Sequence, residues 1–166
     1  MPSSTWITTD THWFDTGLWM AKLRPKDHTE RSIKRHKASI GPRDTLIHLG
    51  DVIWQPSALY DIIKNLGGHR VLIRGNHDKK TDRWYLNNGF NAVFDAVEYR
   101  SGRHLIHMTH KPRLVRTPKT LFNLHGHIHT DYTWKPEWHN HKLALEETHY
   151  YPVKLEQLVR EYLSEH

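Results

Sequence analysis

Along the first half of the chain, short apolar runs alternate with longer segments of helical period. Thr5–Thr9, Thr45–Leu49 and Arg70–Arg74 read as strands that run into glycine or polar residues. Between them, Asp27 followed by Glu30 resembles a capping box opening a basic helix through about Ser39, stopped by Gly41-Pro42. Ser57 is placed to cap a helix with apolar positions at Leu59, Ile62, Ile63 and Leu66, ended by Gly67-Gly68. Thr81–Asn88 reads as a short helix stopped by Gly89. Strands alternating with helices predict a parallel sheet with helical crossovers.

The second half is richer in consecutive strands. Ala92–Tyr99 and His104–Thr109 read as strands joined by a Ser101-Gly102 turn, Leu121–Leu124 as a third and Lys142–Glu146 as a fourth. Antiparallel pairing is expected there. Leu155, Leu158, Val159, Tyr162 and Leu163 mark one face of a terminal helix. Nothing in the pattern divides the chain, so residues 1–166 are expected to form one domain.

Composition narrows the chemistry. The chain has no cysteine, which excludes disulfides, thiol nucleophiles and thiolate metal sites. Any metal must take nitrogen and oxygen ligands, and the sixteen histidines supply the commonest of these. A formal charge of +6 favours an anionic partner such as a phosphate, nucleotide or nucleic acid, although it also serves solubility. The Met1–Thr5 start lacks a basic region, and no run reaches the roughly 18 apolar residues of a membrane span. A soluble cytoplasmic protein without a membrane partner is expected.

The predicted strands end in polar clusters: Asp10-Thr11-His12, Gly50-Asp51, Gly75-Asn76-His77-Asp78 and Gly126-His127-Ile128-His129, with His104–Thr109 running into His110. Ligands of open α/β sheets bind outside the carboxyl ends of strands, so these clusters can share one rim. Residues one apart, as in Asp10/His12 and His127/His129, point to the same side of an extended segment. Glycines 50, 75 and 126 are read as letting the backbone turn sharply at the site. Singly, each cluster is common by chance. Together and in order they form a mixed N/O donor set that suits Mn²⁺, Zn²⁺ or Fe²⁺.

This order of motifs, D-x-H, G-D, G-N-H-[DE], a lone His and G-H-x-H, resembles the calcineurin-like metallophosphoesterases, including their small bacterial and phage members. The resemblance runs from Asp10 to His129, and more loosely through Tyr151–Glu156. It implies an α/β fold of mixed β-sheets packed as a sandwich flanked by α-helices. It also implies two divalent ions, Mn²⁺ foremost with Zn²⁺, Fe²⁺ or Ni²⁺ as alternatives. One ion would be held by Asp10, His12 and His129, the other by Asn76, His110 and His127, with Asp51 shared. His77 would face the substrate as phosphate contact or general acid, oriented by Asp78. The implied reaction is hydrolysis of a phosphate ester by a metal-bridging hydroxide attacking in line.

Phosphodiesters, nucleotide-like or nucleic-acid-like, are favoured as substrates over phosphomonoesters. Gly50–Trp54 lacks the G-D-x-x-x-R-G of the larger protein phosphatases. A catalytically silent scaffold is the third reading, set against the intact motif positions. Asn76, Lys111 and Arg113 are candidates for substrate binding, the last two within a loop that also carries Arg116 and Lys119. Trp13, Phe14, Trp54, Trp134 and Trp138 are placed either to stack a base or to pack beneath loops. Lys22, Arg24 and Lys26, together with Arg31, Lys34, Arg35 and Lys37 of the basic helix, read as a solvated face more readily than as a nucleic-acid patch. His48 is expected to pack within its strand and His125 to be a candidate for orienting a ligand. His28, His36, His69, His139, His141 and His166 read as surface residues.

Overall fold

Two stacked sheets with helices outside them carry the chain. The computed structural model describes residues 3–114, 120–131 and 139–165; Arg116, Lys119, Trp134, Trp138 and His166 lie outside these. In the first sheet, β1 (Thr5–Thr8), β2 (Thr45–His48), β3 (His69–Ile73) and β4 (Ala92–Phe94) run parallel in spatial order β4-β3-β2-β1, and β9 (Val153–Lys154) closes the other edge antiparallel to β1. Between these strands come α1 (Leu18–Leu23), α2 (His28–Ser39), α3 (Leu59–Ile63) and α4 (Asp82–Asn87). In the second sheet, β5 (Ala96–Ser101) pairs antiparallel with β6 (His104–Thr109). There β6, β7 (Thr120–His125) and β8 (Asn140–Lys142) are mutually parallel, so the expected antiparallel pairing holds only for the first hairpin.

The period of two in the strands explains the layering. Ile7, Ile47 and Ile73 face one way and join Ile106, Met108, Phe122 and Leu124 of the second sheet, together with Leu155, Leu158 and Tyr162 of α5 (Leu155–Glu165). Leu46 and Leu72 face the other way, into a second cluster with Trp13, Leu59, Ile63, Tyr85 and Phe90. Each fully buried side chain of this size contributes about 1.5–3 kcal/mol. Among the described residues no helix is long and apolar enough to cross a membrane.

Several elements differ from the sequence reading. The run Ala92–Tyr99 is two strands, because the chain leaves the first sheet after Phe94 and enters the second at Ala96. Asp27 precedes α2 without capping it; its carboxylate is taken by Arg31, at 2.8 and 2.9 Å. Ser57 lies in a 3₁₀ turn, Pro56–Ala58, and provides no side-chain cap for α3. Thr81 does cap α4, its hydroxyl accepting the Trp84 amide. The expected strand Lys142–Glu146 is mostly past the end of β8; Leu143, Ala144 and Leu145 are buried in a turn segment instead.

His28 and His36 are buried, not surface residues. The ring of His36 donates from Nδ1 to the Ser32 carbonyl at 2.8 Å and pairs through Nε2 with the Thr8 hydroxyl at 2.9 Å, and burial pushes it down to about 4. His141 packs its ring against Phe122, with centroids 5.5 Å apart. Burial also holds His48 well below the ordinary range; its Nδ1 accepts the Gly50 amide and its Nε2 faces the Thr11 hydroxyl.

Candidate metal centre

Parallel strands point their carboxyl ends the same way, and the polar clusters follow them. Asp10 and His12 come just after β1, Asp51 after β2, Asn76 after β3, His110 after β6, and His127 and His129 after β7. The loops after β1 and β2 are laced by backbone bonds from Asp10, His12 and Trp13 to Gly50, Asp51 and Val52. Asp10, His12, Asp51, His127 and His129 all have positive φ, between 42° and 68°. Non-glycine residues avoid this region, and each instance costs on the order of 1–3 kcal/mol; strain concentrated on one rim marks a functional site.

Of the three glycines read as turn-formers, only Gly50 has a positive φ. Gly75 and Gly126 are required for closeness: a Cβ on the first would overlap the Asp51 carboxylate, and on the second the Thr9 hydroxyl and the Asp10 carboxylate.

The donors collect in two groups, Asp10/His12/His129 and Asp51/His110/His127. In the first, Asp10 Oδ1 is 3.6 Å from His129 Nε2 and 3.9 Å from His12 Nε2. Asp10 Oδ1 and His12 Nε2 are buried without a hydrogen-bond partner. In the second, Asp51 Oδ2 is 3.3 Å from His110 Nε2, which also faces Asn76 Oδ1 at 2.8 Å. His110 donates Nδ1–H to the Leu49 carbonyl at 2.8 Å, which leaves Nε2 as its inward nitrogen. Asp51 Oδ2 is also 3.7 Å from His12 Nε2, so this carboxylate adjoins both groups.

Unpartnered acceptors about 3–4 Å apart suit ligands around an ion bonded at about 2.1 Å. Orphaned Asp10 Oδ1 and His12 Nε2, and three lone pairs crowded at His110, Asn76 and Asp51, therefore fit divalent metal ions. Protonation is compatible. Burial pushes His12 down to about 3 and His127 down to about 4, keeping both rings neutral. Burial works to raise Asp51, but the hydrogen bond and charge of His110 and the His77 amide hold it at about 2. Burial raises Asp10, against the charges of His129 and His110.

His110 is the exception. Burial would lower it, but its hydrogen bond to Asp51 and the charges of Asp10 and Asp51 raise it instead. A proton there competes with a metal ion, so metal affinity should rise with pH through a pKa above the ordinary histidine value. Titrations with Mn²⁺ at pH about 6 and about 8 should show tighter binding at the higher pH, with proton release. A pH-independent affinity contradicts the assignment.

Glu146 escaped the sequence reading, and Arg24, expected on a solvated basic face, is buried. Arg24, fully buried at its side chain, donates to the Asp10 and Thr11 carbonyls and to Glu146, which it meets at 2.6 Å. Glu146 Oε1 also accepts from His129 Nδ1 at 3.0 Å, an arrangement that turns His129 Nε2 toward Asp10. Burial works to raise Glu146, but His129 and Arg24 hold it at about 2. Lying 14 residues after Asp10 and 17 after His129, the pair has no local signature in the sequence. Glu146→Gln should weaken Mn²⁺ binding in the Asp10 group by about 10- to 100-fold, measured by titration calorimetry, with the Asp51 group little changed.

The remaining candidates are placed as follows. His77 belongs to neither donor group; its amide donates to Asp51 Oδ1 at 2.7 Å and its exposed ring lines the cleft. Both oxygens of Asp78 are taken by backbone, Oδ2 by the Asp51 and Gly75 amides and Oδ1 by the Val52 amide, so this carboxylate fixes the loops rather than turning the His77 ring. Among the described residues neither Lys111 nor Arg113 lines the cleft; the Lys111 charge reaches His127, and that of Arg113 acts on His107. His125 is buried, and burial lowers it to about 4. Trp13 is core. Trp54 is 51% exposed beside His77, and Trp19, which the sequence reading passed over, is 59% exposed with its ring 5.0 Å from that of His129. The cleft lined by Trp19, His77 and residues of the two donor groups has a volume of about 540 Å³.

A two-sheet α/β sandwich with N/O donors gathered at the strand ends defines a candidate metal-binding architecture. The chain belongs to the calcineurin-like phosphoesterases, whose family model matches residues 3–163, and so to the metal-dependent phosphoesterases. It is 25% identical over 174 aligned positions to the uncharacterized protein MJ1445 of Methanocaldococcus jannaschii, covering 93% of this chain and 89% of that one. It shares its fold with a protein of unknown function, AQ665 from Aquifex aeolicus, at a TM-score of 0.78 and 20% identity over 96% of this chain and 99% of the other.

Proposed function

We propose that this protein is a dinuclear metal-dependent phosphodiesterase, with Mn²⁺ the favoured ion and nucleotide-like esters the favoured substrates. One observation carries the dinuclear reading: Asp51 Oδ2 lies 3.3 Å from a nitrogen of the second donor group and 3.7 Å from a nitrogen of the first. Asp10, His12 and His129 would hold one ion and Asn76, His110 and His127 the other, with Asp51 common to both. Bound there, the ions supply positive charge for the phosphoryl oxygens and a water acidic enough to attack at neutral pH.

The chain's own residues do the rest. In this reading the Asn76 amide, whose oxygen lies 2.8 Å from His110 Nε2, also contacts a phosphoryl oxygen. The His77 ring lines the cleft outside both groups and is placed to give a proton to the leaving oxygen. Asp78 holds the loops of Asp51 and Gly75 in register, and Glu146 with Arg24 holds His129. The diester preference rests on the two exposed indoles, Trp19 beside His129 and Trp54 beside His77, since a diester has a group on each side of phosphorus.

The test is hydrolysis of bis(p-nitrophenyl) phosphate and p-nitrophenyl phosphate by chelated protein resupplied with Mn²⁺. Metal-dependent turnover with the diester preferred is expected. Preference for the monoester would move the reading to a phosphomonoesterase, and a metal-loaded protein inert on both to a scaffold.

A further inference from the structure

His77 stands between two cavities. It lines the cleft shared by the donor groups, and it also borders a separate hollow of about 260 Å³ that extends away from them. Ile53 and Tyr85, both buried, lie at the inner side of this hollow, Trp54 and Trp84 wall it, and Lys79 and Lys80 are exposed at its mouth. The walls are fixed from behind. Trp84 packs edge-on against Tyr85 with centroids 5.1 Å apart, and Trp54 sits 5.2 Å from the His77 ring and 6.3 Å from the His12 ring.

The charges are unusual for their neighbourhood. Arg74 close by is paired with Asp82 and Asp95, and Lys64 with Asp61. Among the described residues neither Lys79 nor Lys80 has a carboxylate partner, and the Lys80 ammonium stands 5.9 Å from the Trp84 ring. Indole faces beside unneutralised ammonium groups suit a flat ring that carries negative charge: bases stack on indoles for about 1–3 kcal/mol, and lysine serves phosphate as a point charge. A volume of about 260 Å³ has room for one nucleoside-sized group.

We propose that this hollow holds the leaving group, and that the preferred leaving group is a nucleoside bearing a further phosphate. The inference rests on the phosphodiesterase reading above. In that reaction a water oxygen forms the new bond to phosphorus and the water's proton passes to solvent. The bond from phosphorus to the leaving oxygen breaks with its electron pair on that oxygen, which takes a proton from the His77 ring; the ring recovers one from solvent. The group that protonates the leaving oxygen lies beside it, so the rest of the leaving group extends past His77, between Trp54 and Trp84, toward the lysines.

Three substrates separate the terms in Mn²⁺-loaded protein: a thymidine dinucleotide, the same dinucleotide with a phosphate on its leaving nucleoside, and bis(p-nitrophenyl) phosphate. The terminal phosphate should lower KM about tenfold at similar kcat. Lys79→Ala with Lys80→Ala should erase that advantage, raising KM for the phosphorylated dinucleotide about tenfold more than for bis(p-nitrophenyl) phosphate. Trp54→Ala should raise KM for both dinucleotides about tenfold, and Trp54→Phe should restore most of it. Calorimetric binding of thymidine bisphosphate reads the same hollow without turnover, and its Kd should rise about tenfold in the lysine double variant. A terminal phosphate without advantage, or a double variant equally impaired on all three substrates, overturns the inference. A protein inert on every diester removes the phosphodiesterase reading; the bisphosphate titration then still decides, since binding that ignores the lysines overturns the hollow's assignment.

Discussion

Asp51→Asn should lower metal-dependent turnover by about 10³-fold or more and leave the protein unable to hold its full complement of ions. The substitution keeps the shape of the side chain. It also keeps an oxygen for the His77 amide, which Asp51 Oδ1 now accepts at 2.7 Å. What it removes is the negative charge between His110 Nε2 and His12 Nε2, carried by a carboxylate that adjoins both groups. The metal-free fold should lose some stability, because His110 and the His77 amide hold Asp51 at about 2 and its charge therefore favours the folded state near neutral pH, so the metal-free variant should melt below the metal-free parent. The discriminating measurement is the rise in Tm on adding Mn²⁺. The parent gains stability by binding to the folded state only, and the variant should lose most of that gain. A variant that binds both ions and turns over within about tenfold of the parent would sink the shared-carboxylate assignment.

The parts of this site that were legible in the sequence are those that sit at the ends of period-two strands. Apolar alternation located β1, β2, β3, β6 and β7 to within a residue or two, and the polar clusters that interrupt it are the residues the fold gathers. The parts that were not legible are joined only through space. Arg24 and Glu146 come from a helix flank and a turn far apart in sequence, and neither has a spacing that points to His129. The α2 helix misled for a different reason. Its fully buried positions are His28, Thr29, Ser32 and His36, a polar stripe with helical spacing beside the half-buried Ile33, so hydrophobic periodicity reads the helix as solvated. Its histidines and hydroxyls satisfy one another and the β1 loop: Trp13 Nε1 donates to Ser32, Thr29 accepts the Phe14 amide, and His36 meets Thr8. These bonds hold the segment that carries Asp10 and His12 in its left-handed conformation.

The same physics explains the glycines. A sequence reader sees glycine and infers a turn, but at Gly75 and Gly126 the requirement is contact: strand ends from both sheets press against the Asp51 and Asp10 carboxylates with no room for a Cβ. The strain of the rim, the buried acids and the absent side chains are offset together by the packed sheets beneath, which is why the site sits at their edge and not on a free loop.

His77→Ala should separate catalysis from metal binding. The residue is in neither donor group and its backbone amide, which supports Asp51, survives the substitution. Metal content measured on the purified variant should therefore match the parent, while turnover falls by about 10²–10⁴-fold, the usual worth of a positioned general acid. The size of the fall should depend on the leaving group. An alkoxide such as a nucleoside hydroxyl needs a proton as the bond to phosphorus breaks, so a dinucleotide should show the full loss. A p-nitrophenolate leaves without one, so bis(p-nitrophenyl) phosphate should lose far less. An equal loss on both substrates would mean that the ring holds the phosphoryl group rather than protonating the leaving oxygen. Loss of the metal ions themselves would mean that His77 is a ligand.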